Sequence, residues 1–142
     1  MFHFLGLCGK EDRLIVLNDN CPRFLGFIRE TVPQESLIIR EENPQKAFDA
    51  IGNADLIICL DFHAFHRTGN LEIPLAESKA KKILIDHHLD PDRSIYNLSF
   101  SKNDISSASE FLFWILMATP QINGNAENIP TAGATALMTG MT

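Results

Sequence analysis

An acid and two histidines follow directly after a short apolar run in the stretch KKILIDHHLDPDR. Asp86, His87 and His88 therefore stand at the predicted end of a strand, and Asp61 ends a second such run, DLIICLD. Carboxylate oxygens and imidazole nitrogens together suit Mn, Fe or Zn ions, which lower the pKa of a bound water and neutralise phosphoryl oxygens. These residue types favour metal-assisted hydrolysis of a phosphate ester.

The segments around these residues alternate between strand and helix. Strands are predicted at 13–19, 36–40, 55–61 and 81–86, with a further short strand in SIYNLSF; helices are predicted in MFHFLGL, at 22–29, over NPQKAFDAIGNA, around 71–78, over SSASEFLFWILMA and over TAGATALMTGMT. This order predicts an α/β fold with a Rossmann-like, mostly parallel sheet and helices on both faces. Ligands collect at the carboxyl ends of strands in such sheets, so Asp61 and residues 86–88 would meet there if their strands are neighbours.

A simpler interpretation is that acids and histidines follow strands only because those positions are exposed to solvent. The triplet at one strand end favours a site more strongly than Asp61 alone does. In the stretch DFHAFHR, His63 and His66 could add ligands or touch phosphate, with Arg67 as an anion partner. A role in the loop, or in supporting the ligands, is favoured for these residues.

Composition restricts the class of protein. The chain of 142 residues has a net charge of −6 and is 45% hydrophobic, which predicts one soluble globular domain rather than a broadly basic nucleic-acid binder. Cys8, Cys21 and Cys59 are widely spaced, so neither a zinc knuckle nor a disulfide framework is expected. The most apolar segment, FLFWILMA, is too short to span a bilayer, and the N-terminus lacks the layout of a signal peptide. We therefore expect a cytoplasmic protein.

Four segments, taken in order, resemble the DHH phosphoesterase family: CLDF, KKILIDHHLDPD, SSASEFLF and ALMTGMT. The pattern is most similar to the branch of bacterial nanoRNases and 3'-phosphoadenosine-5'-phosphate phosphatases, which are RecJ-like. The resemblance implies a metal-dependent phosphoesterase that acts on short oligonucleotides or nucleotide phosphates and uses two Mn ions. It also allows a homodimer, with no membrane partner.

The resemblance also implies roles for individual residues. Asp61 is similar to an aspartate that bridges two divalent ions, and His87 is similar to a metal ligand. His88 matches a histidine that faces the substrate phosphate, and Asp86 matches the acid that supports the histidines. The implied mechanism has two metal ions, with attack on phosphorus by a bridging water or hydroxide. No ligand role is implied for His63, because the family commonly has Asn there.

The chain departs from the family pattern at both ends. An H-x-x-x-D-x-D-like motif and a T-D-T-like segment, which carry other ligands, are not found in residues 1–142, nor is the family's C-terminal DHHA1-like substrate domain. We therefore expect one partial DHH domain, truncated at both ends and inactive alone, with strand edges left unpaired or with 13–19 and 55–61 paired directly. Alternatives are a non-catalytic pseudoenzyme or interaction fragment, and a hydrolase like the family II pyrophosphatases.

Serines and aromatic residues near 106–118 are expected to serve the fold. Ser107 and Glu110 have the spacing of a helix-capping box, and no general base at a defined spacing turns the serines into a nucleophile set. Trp114 lies in a continuous apolar run rather than alternating with basic residues, as do Phe111 and Phe113. All three are predicted to be core residues rather than platforms for stacking bases.

Overall fold

Strands and helices alternate in the computed structural model, which describes residues 1–19, 26–89 and 91–141. The strands are β1 (Ile15–Leu17), β2 (Leu37–Ile39), β3 (Leu56–Leu60), β4 (Lys81–Asp86) and β5 (Leu98–Ser101). The helices are α1 (Phe2–Leu7), α2 (Phe27–Thr31), α3 (Pro44–Gly52), α4 (Glu72–Glu77), α5 (Ala108–Met117) and α6 (Thr131–Met141). Residues 22–25 of the helix expected at 22–29 lie outside the described residues, as does Cys21.

Every strand pair is parallel, and the strands form two sheets. β1 pairs with β2, with Ile15 opposite Leu37, and β4 lies between β3 and β5. In the described part of the chain, β1 and β3 do not pair with each other. The sequence predicts either unpaired strand edges or direct pairing of 13–19 with 55–61, and the described residues show unpaired edges. Leu14, just before β1, and Leu56, at the start of β3, are about half exposed.

Both faces of β4 are covered by helices. Successive side chains of a strand point to opposite faces. Leu84 packs in a cluster with Ala47 of α3 and Leu75 of α4, whereas Ile85 packs with Leu112 of α5 and with residues of α6. Burial on both sides explains the unbroken apolar run of this strand. The predicted α/β fold, with parallel strands and helices on both faces, is confirmed.

A polar clasp at the carboxyl ends of β1 and β2 contacts the helical segment that follows β3; it consists of Asn18, Asp19, Arg40, Gly69 and Asn70. Nε of Arg40 donates to Oδ1 of Asn18 at 3.3 Å, and its Nη2 lies 3.8 Å from Oδ1 of Asp19. Asn70, with its amide oxygen turned toward Arg40, accepts from the same guanidinium at 3.1 Å. At Gly69, φ is +58°, and a Cβ there would lie 3.2 Å from Nδ2 of Asn18. The clasp thus holds the segment after β3 against the end of β1.

Ser107 begins α5, as the sequence predicts. Its Oγ accepts from the backbone N–H of Glu110 at 3.1 Å. The Glu110 carboxylate in turn accepts from the backbone N–H of Ser106 at 3.0 Å and from its hydroxyl at 2.7 Å. These bonds lower the pKa of Glu110, with the Ser106 hydroxyl as the largest cause. The serines therefore cap a helix.

The prediction that Trp114 belongs to the core is wrong, because its side chain is 57% exposed. α5 buries a stripe at four-residue spacing, formed by Ala108, Leu112 and Leu116. Trp114 lies two residues from Leu112 and Leu116, about half a turn away, and so faces outward. The two phenylalanines predicted with it are partly buried against the core. Neither α5 nor another helix of the described chain has the length and apolarity to cross a membrane.

Candidate functional site

The carboxyl end of β4 holds an acid and an imidazole in a fixed arrangement. Asp86 is fully buried. Its Oδ1 lies 2.7 Å from Nδ1 of His88, and its Oδ2 accepts from the backbone N–H of His88 at 3.1 Å. A carboxylate only accepts hydrogen bonds, so Nδ1 is assigned the hydrogen and Nε2 is the free nitrogen of His88. Asp86 therefore fixes both the orientation of His88 and the nitrogen that it presents.

Asp61 follows β3 and lies beside His87. The backbone N–H of Asp61 donates to the carbonyl of Ile85 at 3.1 Å, which extends the contact between β3 and β4 by one residue. Its φ of +65° is in the left-handed region, where aspartate is more common than most residues. The side chain of Asp61 is 63% exposed, and its Oδ1 lies 3.4 Å from Nε2 of His87.

This distance suits two ligands of one cation better than it suits a direct hydrogen bond. N–H···O bonds are about 2.7–3.2 Å long. Two ligand atoms bound about 2.1 Å from one ion lie about 3.0 Å apart in octahedral and about 3.4 Å apart in tetrahedral geometry. One ligand atom each of Asp61, His87 and His88 lies within 4.8 Å of the other two. These residues fit a divalent cation, and the structure brings Asp61 and His87 together as the sequence predicts.

His63 lies close enough to Asp86 and His88 to be a candidate ligand as well as a loop residue. A second group of possible ligand atoms, from His63, Asp86 and His88, also falls within 4.8 Å. The ring centroids of His63 and His88 are 5.6 Å apart. His66 is exposed, with its ring 6.3 Å from that of His63. Arg67 is also exposed, and its guanidinium makes no hydrogen bond or ion pair with any described residue.

A pocket of about 200 Å³ opens beside His88. Its other lining residues are Leu89, Pro91, Arg93, Ser101 and Asn103. Arg93 lines the pocket, and no sequence pattern singles it out, because it lies beyond the DHH triplet. A larger concavity of about 600 Å³ lies beside β2 and α3, and no histidine lines it.

Two groups of the core, the Tyr96 hydroxyl and the Cys59 thiol, are chemically inert. Burial raises the pKa of the Tyr96 hydroxyl, and nearby Cys59 and Asp86 raise it further. Burial also raises the pKa of the Cys59 thiol to about 12, although the positive charge of Lys82 opposes this. Both groups therefore stay protonated near neutral pH, and neither acts as a nucleophile.

The chain is similar to a known protein family and to a solved structure. Residues 7–141 match the model of the DHH family, N-terminal domain. The crystal structure of an exopolyphosphatase-related protein from Bacteroides fragilis has 30% sequence identity and a TM-score of 0.82. That match covers 99% of this chain but 38% of the Bacteroides chain. No curated protein matches this sequence.

The family match extends over almost the whole chain, and the triplet that gives the family its name begins at the last residue of the central strand β4. The structural similarity covers the same region and preserves the parallel α/β arrangement. This protein belongs to the DHH family.

Proposed function

We propose that this chain forms part of a divalent-metal-dependent phosphoesterase site. One observation carries the proposal: Oδ1 of Asp61 and Nε2 of His87 lie 3.4 Å apart, beside a His88 that Asp86 holds in place. A divalent ion, when bound, would neutralise phosphoryl oxygens and lower the pKa of a water. Mn is the proposed ion, because carboxylate and imidazole ligands suit it and the family resemblance implies it.

The side chains of the chain itself would bind and orient the phosphate. His88 presents Nε2, which in the protonated ring donates to a phosphoryl oxygen. The guanidinium of Arg93, on the same pocket, can donate two parallel hydrogen bonds to phosphate oxygens. Asp86 keeps the imidazole from turning, because it binds both the ring and the backbone N–H of His88.

The proposed substrates are short oligoribonucleotides or nucleotide phosphates, handled in the cytoplasm. The pocket beside His88, of about 200 Å³, has room for a phosphate group. We further propose that the 142-residue chain alone is a partial domain with little activity. For the two ions that the resemblance implies, Asp61, His87 and His88 offer one ligand atom each, whereas catalytic sites commonly supply three for each ion.

Two other functions remain as alternatives. Hydrolysis of phosphoanhydrides, as by polyphosphatases or the family II pyrophosphatases, is favoured by the 30% identity to the exopolyphosphatase-related protein. A non-catalytic interaction module, including a homodimer, is favoured by the open edges of β1 and β3, since unpaired strand edges invite association. Sedimentation velocity would show whether the chain is dimeric.

Mn²⁺ titration by calorimetry tests the metal site. We expect a heat of binding for the wild-type chain that is much reduced in Asp61→Ala and His87→Ala. His66→Ala is a matched control, because it removes an exposed imidazole from the neighbouring loop. Equal heats in all four proteins would rule out the proposed site.

A hydrolysis assay tests the activity and the substrate class. The chain is incubated with Mn²⁺ and a diribonucleotide, 3'-phosphoadenosine 5'-phosphate, pyrophosphate or polyphosphate. We expect little turnover of any of them. Strong Mn²⁺-dependent hydrolysis that is lost in His87→Ala would contradict the proposed inactivity, and the preferred substrate would then decide between phosphoester and phosphoanhydride chemistry.

A further inference from the structure

The pocket beside His88 lies at the carboxyl ends of β4 and β5. It is lined by residues that follow β4, by the last residue of β5 and by one residue beyond it: His88, Leu89, Pro91, Arg93, Ser101 and Asn103. β4 and β5 are neighbours, with Asp86 opposite Ser101. Asp61 and His87, in contrast, follow β3 and β4. The pocket and the proposed cation position therefore lie at adjacent strand pairs, and His88 borders both.

The polar side chains of this pocket are free to bind a ligand. Among the described residues, the side chains of Arg93, Ser101 and Asn103 have no hydrogen-bond or ion-pair partner. The carboxylate of Asp92, next to Arg93 in the chain, instead accepts from the backbone N–H of Ser94 at 3.1 Å and from its hydroxyl at 2.5 Å. No described residue that lines the pocket carries a carboxylate. The described lining therefore offers donors and a positive charge, which suit an anion.

We propose that the pocket is a second phosphate position, in which Arg93, Ser101 and Asn103 bind a phosphate other than the one attacked. The inference rests on the proposed function, which puts the reacting phosphate at the cation of Asp61 and His87. Neighbouring strands are about 4.8 Å apart, so the two phosphates belong to nearby groups of one molecule. The substrate is accordingly a phosphoanhydride or a nucleotide that carries a further phosphate close to the bond that is broken.

A phosphate fits the three side chains better than a carboxylate does. A terminal phosphate presents three strong acceptor oxygens. The pocket can supply a donor to each, from the guanidinium of Arg93, the hydroxyl of Ser101 and the amide of Asn103. These residues come from the loop after β4, the end of β5 and the loop after β5. The register of β4 with β5 thus brings together donors that are separate in the sequence.

Phosphate binding in EDTA tests the pocket without a metal. Backbone ¹H–¹⁵N spectra of the ¹⁵N-labelled chain are recorded during a titration with inorganic phosphate. The amides of Arg93, Ser101 and Asn103 should shift together, and Arg93→Gln should weaken binding at least about tenfold, because it removes hydrogen bonds between charged groups. Arg67→Gln is the matched comparison, since it removes an exposed guanidinium from the segment after β3. An equal effect of the two substitutions, or shifts that miss the pocket, would overturn the proposal.

Ligands with two phosphates test the link to the proposed function. With Mn²⁺ in excess, pyrophosphate or 3'-phosphoadenosine 5'-phosphate should bind more tightly than inorganic phosphate, and the tighter of the two identifies the substrate class. Arg93→Gln should abolish this preference without changing Mn²⁺ affinity, and a preference that survives the substitution would refute the second phosphate position. If Asp61→Asn leaves Mn²⁺ binding unchanged, the proposed function fails, whereas phosphate binding in EDTA still supports the pocket.

Discussion

The bond between Asp86 and His88 should contribute measurably to stability. Asp86 is fully buried, and its Oδ1 lies 2.7 Å from Nδ1 of His88. Hydrogen bonds to charged groups contribute about 1.5–3 kcal/mol. Because 34% of the His88 side chain is exposed, we expect the lower end of that range. The coupling free energy between the two side chains should therefore be about 1.5 kcal/mol.

A double-mutant cycle measures this coupling by urea unfolding of the wild type, Asp86→Ala, His88→Ala and the double variant. The cycle isolates the ring bond, because the backbone N–H of residue 88 loses its partner in both proteins that carry Asp86→Ala, and that loss cancels. His87→Ala provides the control: its ring adjoins that of His88 but makes no hydrogen bond to Asp86 among the described contacts. A coupling energy near zero, or one as large with His87→Ala, would refute the orienting role of Asp86.

Three further outcomes can be measured. The hydrogen bonds from Ser106 lower the pKa of Glu110 below its ordinary value of 4.5. The stabilisation from these bonds is therefore present above that pH and is lost as the pH falls through the lowered pKa. In urea unfolding, the difference in unfolding free energy between wild type and Glu110→Gln should shrink over the same pH range. Cys59 is 1% exposed with a pKa of about 12, so it should react with a thiol reagent at pH 8 only after denaturant is added, as mass spectrometry would show. Gly69→Ala should cost about 1–3 kcal/mol of unfolding free energy through its positive φ and the nearby Asn18, and an unchanged midpoint would contradict this.

The strands and the main part of the site were predictable because their signals are local. The apolar run of β4, Ile83 to Ile85, packs against helices on both faces, and the acid and histidines come directly after it. The strand-end rule for parallel sheets then brings Asp61 to His87, since β3 and β4 are neighbours. The helix cap at Ser107 was equally predictable, because its hydrogen-bond partner, Glu110, lies three residues away.

The remaining contacts depend on loop paths that have no sequence period. His63 lies two residues beyond Asp61, yet its approach to His88 is fixed by the turn at Asp61 and by the short helix that follows. Trp114 was misplaced because a helix that is apolar on all sides gives no clue to which stripe is buried. The clasp of Arg40 with Asn18 joins residues 22 positions apart, and polar residues at such distances carry no pattern.

The open edge of β3 makes the two halves of the site unequal in rigidity. Within the described residues, β4 has hydrogen-bonded neighbours on both sides, whereas β3 has one, so backbone amides of β4 should exchange with deuterium far more slowly than those of β3. Asp86 and His88 therefore lie at the end of the slowly exchanging strand, whereas Asp61 follows the less protected strand β3. A cation bound by both Asp61 and His87 would link the carboxyl ends of β3 and β4. Slower exchange of the β3 amides would then show that the cation is bound, without any substrate.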